Sequence, residues 1–564
     1  MEFWREMREM TDAQLLHTGD GGTGKKKTID WVALGLIITF FISGVLTLKY
    51  YGMTWDEGLG NLFFGERYLF YLTHFRESFV DFKADLPIHD RALNLFLSPM
   101  REVPHEFPPV TDTLSAGSMY LFSYILKWMD PVDGFHLFKI ALAAIFLWIL
   151  YRFVRDEWGT IEGIFTIFFL AFFPRFWGDM HFNPKDIAET IWLGMLFMAY
   201  YNWLKKRDVW RAVLVGILFA AALGTKANAV FAPLILVLGL WQARLPMETW
   251  HTSLKFWLRD SWQYVVMGIT ALILYIGSWP YVYVQNNPVQ AVRKYFEFIL
   301  SQGDRVGSEH WSLQPLLHTI TTIPIWMLVF MLIGIGVSVW KVYKQDGPKW
   351  RLLLVWLIVP VVRISLPGMV NFDGIRHYME YIPAAAILAG IGVQWLTQQT
   401  NSLAQRKWAL AGITSGWLVS IVWIYASLFP HLYIYYNPLI GGVAGARQVF
   451  GDDEVTDYWA ASYRLGMGWI NQNAPHSAKV YTPVADYLVD MTAPLWLRDD
   501  LRVIHPGDVN SLLSQTEPVY VMLLIRPGYW NDQAQYVEKN YQPVHVFRAA
   551  GQPVLEIYEV SPQP

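Results

Sequence analysis

The chain has 564 residues, of which 54% are hydrophobic and only 16% charged, and its mean hydropathy is +0.25. Soluble domains carry about a quarter charged residues, so this balance, with 28 Trp, 30 Tyr and 34 Phe, excludes an ordinary soluble protein and indicates an integral membrane protein with aromatic residues at the lipid interfaces. The net charge of −3 says nothing about topology, and the absence of cysteine excludes disulfides, thiol nucleophiles and cysteine metal sites.

Residues 1–28 are polar, end in Lys25-Lys26-Lys27 and read as a cytosolic tail with a Gly-rich linker. The string from Gly19 to Lys26 nearly copies a phosphate-binding loop, but it lacks the hydroxyl residue after the lysine and runs into an apolar span instead of a βαβ unit, so it reads as linker. The first apolar run, Trp31–Leu48, is too long for a signal-peptide core and lacks a small-residue cleavage site, which makes it a signal anchor. Stretches able to span a bilayer follow at about 134–153, 158–177, 186–204, 209–224, 226–241, 262–282, 318–341, 350–367, 380–397 and 407–428. With the first span at 29–48, eleven are expected.

Placing the N-terminal tail inside puts Arg152/Arg155, Lys205/Lys206/Arg207/Arg211, Arg244/Lys255/Arg259, Lys341/Lys344/Lys349/Arg351 and Arg406/Lys407 on the same side, as the positive-inside rule requires. The other side receives a long loop (49–133), a short one (178–185), a turn at Thr225-Lys226, the loops 283–317 and 368–379, and everything after about 430. Within the first loop, 59–79 and 113–129 have apolar faces broken by polar residues and read as helices lying along the outer surface. Residues 430–564 alternate β-rich runs (479–482, 519–524, 554–558) with helical stretches (455–473, 530–540), which predicts a small α/β domain. No repeat of 20–50 residues is evident.

Polar clusters gather at the outer ends of the spans. Asp56 and Glu57 follow the first span; a loop beyond a helix end explains them equally well, but a partly desolvated aspartate there can act as a general base toward a hydroxyl or amine. His181, Asn183, Lys185 and Asp186 crowd into six residues. A helix-dipole acid and a surface charge account for Asp186 and Lys185 and leave the other two unexplained. Arg376-His377-Tyr378 precedes a late span, and the planar arginine fork suits a phosphate leaving group, with lipid-headgroup anchoring as the alternative. Lys226 is a similar cation, with snorkelling as the alternative, and Arg293, Lys294 and Arg305 read as surface charges. A carboxylate base with several cations fits group transfer from a membrane-bound phosphate. No Ser/His/Asp order, metal-ligand spacing or nucleic-acid module is recognisable.

These residues resemble the GT-C superfamily of membrane glycosyltransferases, closest to the bacterial branch of protein O-mannosyltransferases and the aminoarabinose transferase of lipid A (the family 39-like group). The resemblance covers about 29–428 and rests on Trp55-Asp56-Glu57, His105-Glu106-Phe107-Pro108-Pro109, the His181–Asp186 cluster, Gly224-Thr225-Lys226 and Arg376-His377-Tyr378. Tyr435-Tyr436-Asn437-Pro438 and the stretch from Asp457-Tyr458-Trp459 to Ser462-Tyr463-Arg464 resemble the junction to the outer domain in bacterial members. His105 stands two residues from Pro108-Pro109, unlike the family's usual run, and receives no role. The resemblance implies a polyprenyl-phosphate sugar donor and inversion at the anomeric carbon. It implies Asp56 as base, Glu57 in support and Asp186 organising the site. Lys185, Lys226, Arg376 and His377 are its candidates for the lipid phosphate, and His181, Asn183 and Tyr378 for substrate contacts.

The expectation is a mainly α, polytopic bundle of about eleven spans (29–428) between a cytosolic tail (1–28) and an outer α/β domain (429–564), in a plasma membrane. It would transfer sugar to a lipid, glycan or protein acceptor, contact membrane lipids and bind no nucleic acid. No cofactor is implied, although a divalent ion is compatible with the carboxylates. The rival class is a lipid or solute transporter, which calls for charged residues near the bilayer midplane and repeated halves; the spans read as largely free of ionisable groups except at their ends and at Arg363.

Overall fold

The computed structural model describes residues 23–76, 108–240, 250–284, 287–306 and 309–561. The N-terminal tail to residue 22 and the His105-Glu106-Phe107 part of the first-loop motif lie outside the described residues. Every stretch expected to span has a helical counterpart. Five of these helices are long and apolar enough to cross a membrane: Asp30–Tyr50, Pro131–Glu157, Ile325–Tyr343, Arg376–Gln398 and Leu403–Leu428. Shorter apolar helices cover Thr160–Ala171, Val209–Leu223, Ala227–Leu240 and Trp262–Gly277.

Proline redraws two of the expected spans. The 158–177 stretch splits into Thr160–Ala171 and Pro174–Asp179, because Pro174 pushes Phe173 out of the helical region, to φ −66, ψ 117. The 318–341 stretch likewise breaks between Gln314–Thr322 and Ile325–Tyr343, at Pro324. Small residues set the closest helix contact: a side chain at Gly334 would collide with the Leu388 carbonyl, and one at Gly392 with that of Phe330. Ile325–Tyr343 and Ile382–Gln398 therefore pack backbone to backbone, the usual solution where lipid gives no hydrophobic drive.

The Pro131–Glu157 helix defines the two ends of the bundle. Asp130 caps it by accepting from Asp133 N at 2.9 Å. Near that start, His136 and Lys139 contact Glu57 of the first loop. At the other end Glu157 binds Lys205, Tyr201 and, through its carbonyl, Lys349, and Arg155 pairs with Asp30 at 2.6 Å. At 1.5 Å per residue the rise from Lys139 to Glu157 is about 27 Å, close to a hydrocarbon thickness. Arg155, Lys205 and Lys349 thus sit at one end and the acidic motif at the other.

Both first-loop helices form, as Leu62–His74 and as Val110–Met119 with a π-helical extension to Ile125. After the last long helix the chain builds a five-stranded sheet from β1 (Lys479–Tyr481), β2 (Arg502–Val503), β3 (Val519–Leu524), β4 (Pro543–Ala549) and β5 (Gln552–Val560), in the order β2-β1-β3-β5-β4. β1 pairs in parallel with β2 and β3, and β5 runs antiparallel to β3 and β4. Every residue of β3 is buried. The helix expected from 455 begins only at Tyr463. Its would-be first turns are held as a loop by Asp457, which accepts from Tyr433 Oη and from the backbone N–H groups of Ala461 and Ser462, with Ala460 at φ +60.

This domain is tied to the bundle by polar contacts. Arg464 reaches Asp130 at 2.8 Å and Asp133 at 2.5 Å, Gly52 N–H donates to Ala461 O at 2.9 Å and Trp55 N–H to Trp459 O at 3.3 Å.

Candidate active site

The acidic pair divides its labour. Glu57 turns inward, where its carboxylate accepts from Thr54 N and Oγ1 at 3.0 Å each, from His136 Nε2 at 3.0 Å and from Lys139 Nζ at 3.1 Å. Its side chain, like those of His136 and Lys139, is fully buried. Burial alone would raise its pKa, but His136 and Lys139 outweigh that and hold it at about 2. Glu57 thus bridges the first loop and the Pro131–Glu157 helix as a carboxylate favoured by its two basic partners. Asp56 faces the other way, 40% exposed, with Arg376 Nη2 at 3.5 Å.

The second cluster forms around Asn183. Its Oδ1 accepts from the N–H groups of Lys185 (3.3 Å) and Asp186 (2.9 Å), and its Nδ2 donates to Asp179 (3.1 Å) and Asp186 (3.0 Å). That closes a side-chain turn which starts the Asp186–Lys205 helix and aims Asp186 at the neighbouring cations. Lys226 Nζ lies 2.6 Å from Asp186 and 3.8 Å from Glu189, and Arg376 Nε lies 3.7 Å from Asp186. The Gly224-Thr225-Lys226 turn is itself held by the first loop: Val110 N–H donates to Gly224 O at 2.7 Å, and Thr111 and Thr225 hydroxyls pair at 2.8 Å.

Arg376 is the meeting point. Its guanidinium reaches Asp56, Asp186 and Asp373, the last at 3.2 Å, and lies 4.3 Å from the Trp459 ring centroid. Next to it, the His377 carbonyl accepts from Asn228 (3.0 Å) and Arg363 (2.9 Å), while its Nε2 is buried without a hydrogen-bond partner among the described residues. Lys185 stands in the field of Asp112, Asp56 and Asp186; burial pushes its ammonium pKa down and those carboxylates pull it back up.

The structure thus brings together Asp56, Asp186, Lys226 and Arg376, with Lys185 and His377 alongside. Glu57 and Asn183 serve as internal supports. His181 and Tyr378 lie away from this centre. His181 is fully buried, with Nδ1 bonded to Trp177 O and Nε2 to Thr47 Oγ1 at 2.9 Å each, and it stacks on Tyr51; burial pushes its pKa to about 3. Tyr378 is buried and donates to Pro315 O at 2.8 Å.

Three further residues belong here. Asp112 accepts from Asn61 at 2.9 Å, and its other oxygen has no partner among the described residues; burial raises it to about 6 against the pull of Lys185. Its sequence signal was an acid in the first turn of the helix after Pro108-Pro109. Asp373 and Arg526 pair at 2.9 Å, and nothing in the sequence joins them. Lys139, Glu189, Arg175, Glu380 and Arg363 are also buried within the helices; Glu189, Arg175 and Glu380 stand near the ends of expected spans and Arg363 was the expected exception, so of these Lys139 is the addition. Among the described residues no group of three or more His, Asp and Glu side chains is placed to hold a metal ion.

Asp179 gives a pH test of this packing. It is 1% exposed, and burial raises its pKa to about 7, opposed by Asn183 and Arg175. Unfolded, it would titrate near 3.9. The folded chain therefore holds a proton that the unfolded chain has lost, and stability falls as pH rises toward 7, at up to about 1.4 kcal/mol per unit. Asp112 acts in the same sense but is spent above about 6. Between pH 6 and 8 the thermal midpoint of the detergent-solubilised protein should drop, and Asp179→Asn should make that drop shallower, the remainder coming from Glu66, whose carboxyl is pushed up by burial to about 8; an unchanged slope would contradict the assignment.

Residues 106–281 match the family model described as dolichyl-phosphate-mannose-protein mannosyltransferase. No curated protein sequence matches the chain. Among solved structures, ArnT from Cupriavidus metallidurans bound to undecaprenyl phosphate is similar in fold, with a TM-score of 0.50 at 15% identity over 96% of this chain and 100% of that one. The oligosaccharyltransferase AglB from Archaeoglobus fulgidus, in complex with an inhibitory peptide and a dolichol-phosphate, matches more loosely, with a TM-score of 0.44 at 12% identity over 94% of this chain and 74% of that one. The resemblance to GT-C membrane glycosyltransferases is therefore borne out, by the family model over residues 106–281 and by the ArnT fold over nearly the whole chain.

Proposed function

We propose that this protein is an inverting glycosyltransferase that moves a sugar from a polyprenyl-phosphate donor to a hydroxyl or amine at the outer membrane face. The observation that carries this reading is the approach of Asp56, the exposed carboxylate, to Arg376, which shares Asp186 with Lys226. A base and two cations at the end of a helix bundle are what displacement at a lipid-linked sugar needs. Asp56 takes the acceptor proton, and the acceptor atom bonds to the anomeric carbon from the face opposite the phosphate. The carbon–oxygen bond to phosphate breaks, and the electron pair leaves on polyprenyl phosphate. Arg376 and Lys226, with Lys185 and His377 beside them, stabilise that charge, while the sugar passes through an oxocarbenium-like state.

In the structure carboxylates occupy these cations, so a donor phosphate would exchange with Asp186 or Asp373 for the guanidinium. An apolar groove of about 610 Å³, lined by Leu313, Leu317, Ile320 and Phe450, offers room for part of an isoprenoid tail. Phe450 stacks on His318, which lies 3.6 Å from Glu454, the carboxylate that holds the Asp373 loop. The undecaprenyl phosphate bound to ArnT from Cupriavidus metallidurans supports a polyprenyl-phosphate ligand here. In this reading the chain has eleven spans over 29–428, a cytosolic N-terminus and an outer 429–564 domain in a plasma membrane. A transporter is disfavoured because the charge centre lies at one end of the helices, beyond Lys139, and no long-range repeat relates the two halves.

Purified protein in nanodiscs should release polyprenyl phosphate from a labelled polyprenyl-phosphate sugar. Arg376→Met should weaken binding of the lipid phosphate roughly a hundredfold, the usual result of truncating a buried, hydrogen-bonded charge partner. Failure of the wild-type protein to bind any polyprenyl phosphate or turn over any such donor would refute the proposal.

A further inference from the structure

We propose that Arg526, from the C-terminal sheet domain, is a positioning residue that sets Arg376 through the carboxylate they share, Asp373. The proposal rests on the reading of Arg376 as a phosphate ligand. Asp373 has φ +58 and Gly374 φ +76, and a side chain on Gly374 would put its first carbon 2.5 Å from Arg175 Nη1. Left-handed backbone at a non-glycine residue persists where surrounding contacts over-determine it. Here those contacts come from beyond the last long helix. Glu454 accepts from the N–H groups of Asp373 at 2.9 Å and Gly374 at 2.6 Å. Arg526 Nη2 donates to Asp373 Oδ1 at 2.9 Å, which leaves Oδ2 for Arg376 Nη1 at 3.2 Å.

Arg526 is rigidly held. It is 8% exposed, donates to Tyr458 O at 3.0 Å, and lies 4.6 Å from the Tyr529 ring and 5.7 Å from the ring of Trp55, the residue before Asp56. One guanidinium therefore touches the loop that carries Arg376 and the loop that carries Asp56. Its charge also matters. The Arg526 guanidinium holds Asp373 Oδ1 and its positive charge offsets part of the carboxylate charge felt by Arg376; without it, Arg376 is drawn more strongly to Asp373 and away from Asp56 and Asp186. Among the described residues Arg526 forms no ion pair with Asp56 or Asp186, so it acts on them through Asp373.

The test uses the full-length protein and its variants R526M, R526K and E454Q, with two readouts. Hydrogen exchange of peptides spanning 369–377 should be about tenfold faster in R526M and E454Q, partly restored in R526K, and unchanged in the 382–398 helix. Binding of undecaprenyl phosphate in nanodiscs should weaken about tenfold in R526M, and the R526M/R376M double variant should bind no more weakly than R376M alone, the mark of a residue that works through another. Unchanged exchange in R526M, or additive losses in the double variant, would overturn the proposal. If the wild-type protein binds no lipid phosphate, the functional reading of Arg376 fails, while the exchange data still decide whether Arg526 sets the loop.

Discussion

Asp56→Asn is expected to lower sugar transfer about a thousandfold, within the range that a general base contributes, and to leave lipid-phosphate binding intact. The amide has the carboxylate's shape, and its oxygen can still accept from Arg376, 3.5 Å away, but it cannot take the acceptor's proton. The substitution also removes a negative charge beside the cations proposed to hold phosphate, so donor affinity should stay the same or improve. That split separates catalysis from binding: lost turnover with unchanged undecaprenyl phosphate affinity supports the base, whereas equal loss of both would make Asp56 a ligand. Because Asp56 is 40% exposed and outside the hydrophobic core, the melting temperature should barely move. Near-wild-type turnover in this variant would remove Asp56 from the chemistry.

The parts of the site that were legible in the sequence are those where local pattern and energetic cost coincide. Asp56, Asp186, Lys226 and Arg376 each stand just beyond an apolar stretch, where charge is costly to solvate, and they converge in space. The sequence also located three of the five strands of the C-terminal domain, missing Arg502–Val503 and Pro543–Ala549, and the helices of the bundle. What it could not show is direction. Asp56 and Glu57 are neighbours with the same chemistry, yet one faces the cations and the other is buried against His136 and Lys139, because successive side chains on a helical turn point in different directions. Lys139 was invisible for a related reason: one charge within a long apolar helix does not alter its hydropathy, and its partner lies in a distant loop. His181 and Asn183 stand out by crowding, but Asn183 uses its polar atoms to close a tight turn and His181 ties that turn to Trp177 and to Thr47 of the first span. Asp373 and Arg526 meet only through the packing of the sheet domain on the bundle, a contact no short window can hold.

The inward half of the acidic pair supports the largest stability effect. Glu57→Ala leaves Lys139 buried without its counter-charge and His136 without its hydrogen-bond partner, and breaking a buried pair from one side typically costs about 3–5 kcal/mol. The shift of Glu57 to about 2 from an ordinary 4.5 gives a similar scale, about 3 kcal/mol. Its sign is fixed: the folded pKa is depressed, so the contribution is fully present above about 4.5 and is lost as pH falls through 2. Part of it is offset by the solvation that Lys139 gives up on burial, so the native pair is worth less than its one-sided loss. Glu57→Ala should therefore lower the melting temperature by many degrees at pH 7, and adding Lys139→Met should recover much of it by removing the stranded ammonium. A supporting role toward the acceptor predicts the reverse pattern, with turnover reduced, melting unchanged and no recovery from the second substitution. The pair of variants measured together distinguishes a structural pin from a second catalytic carboxylate.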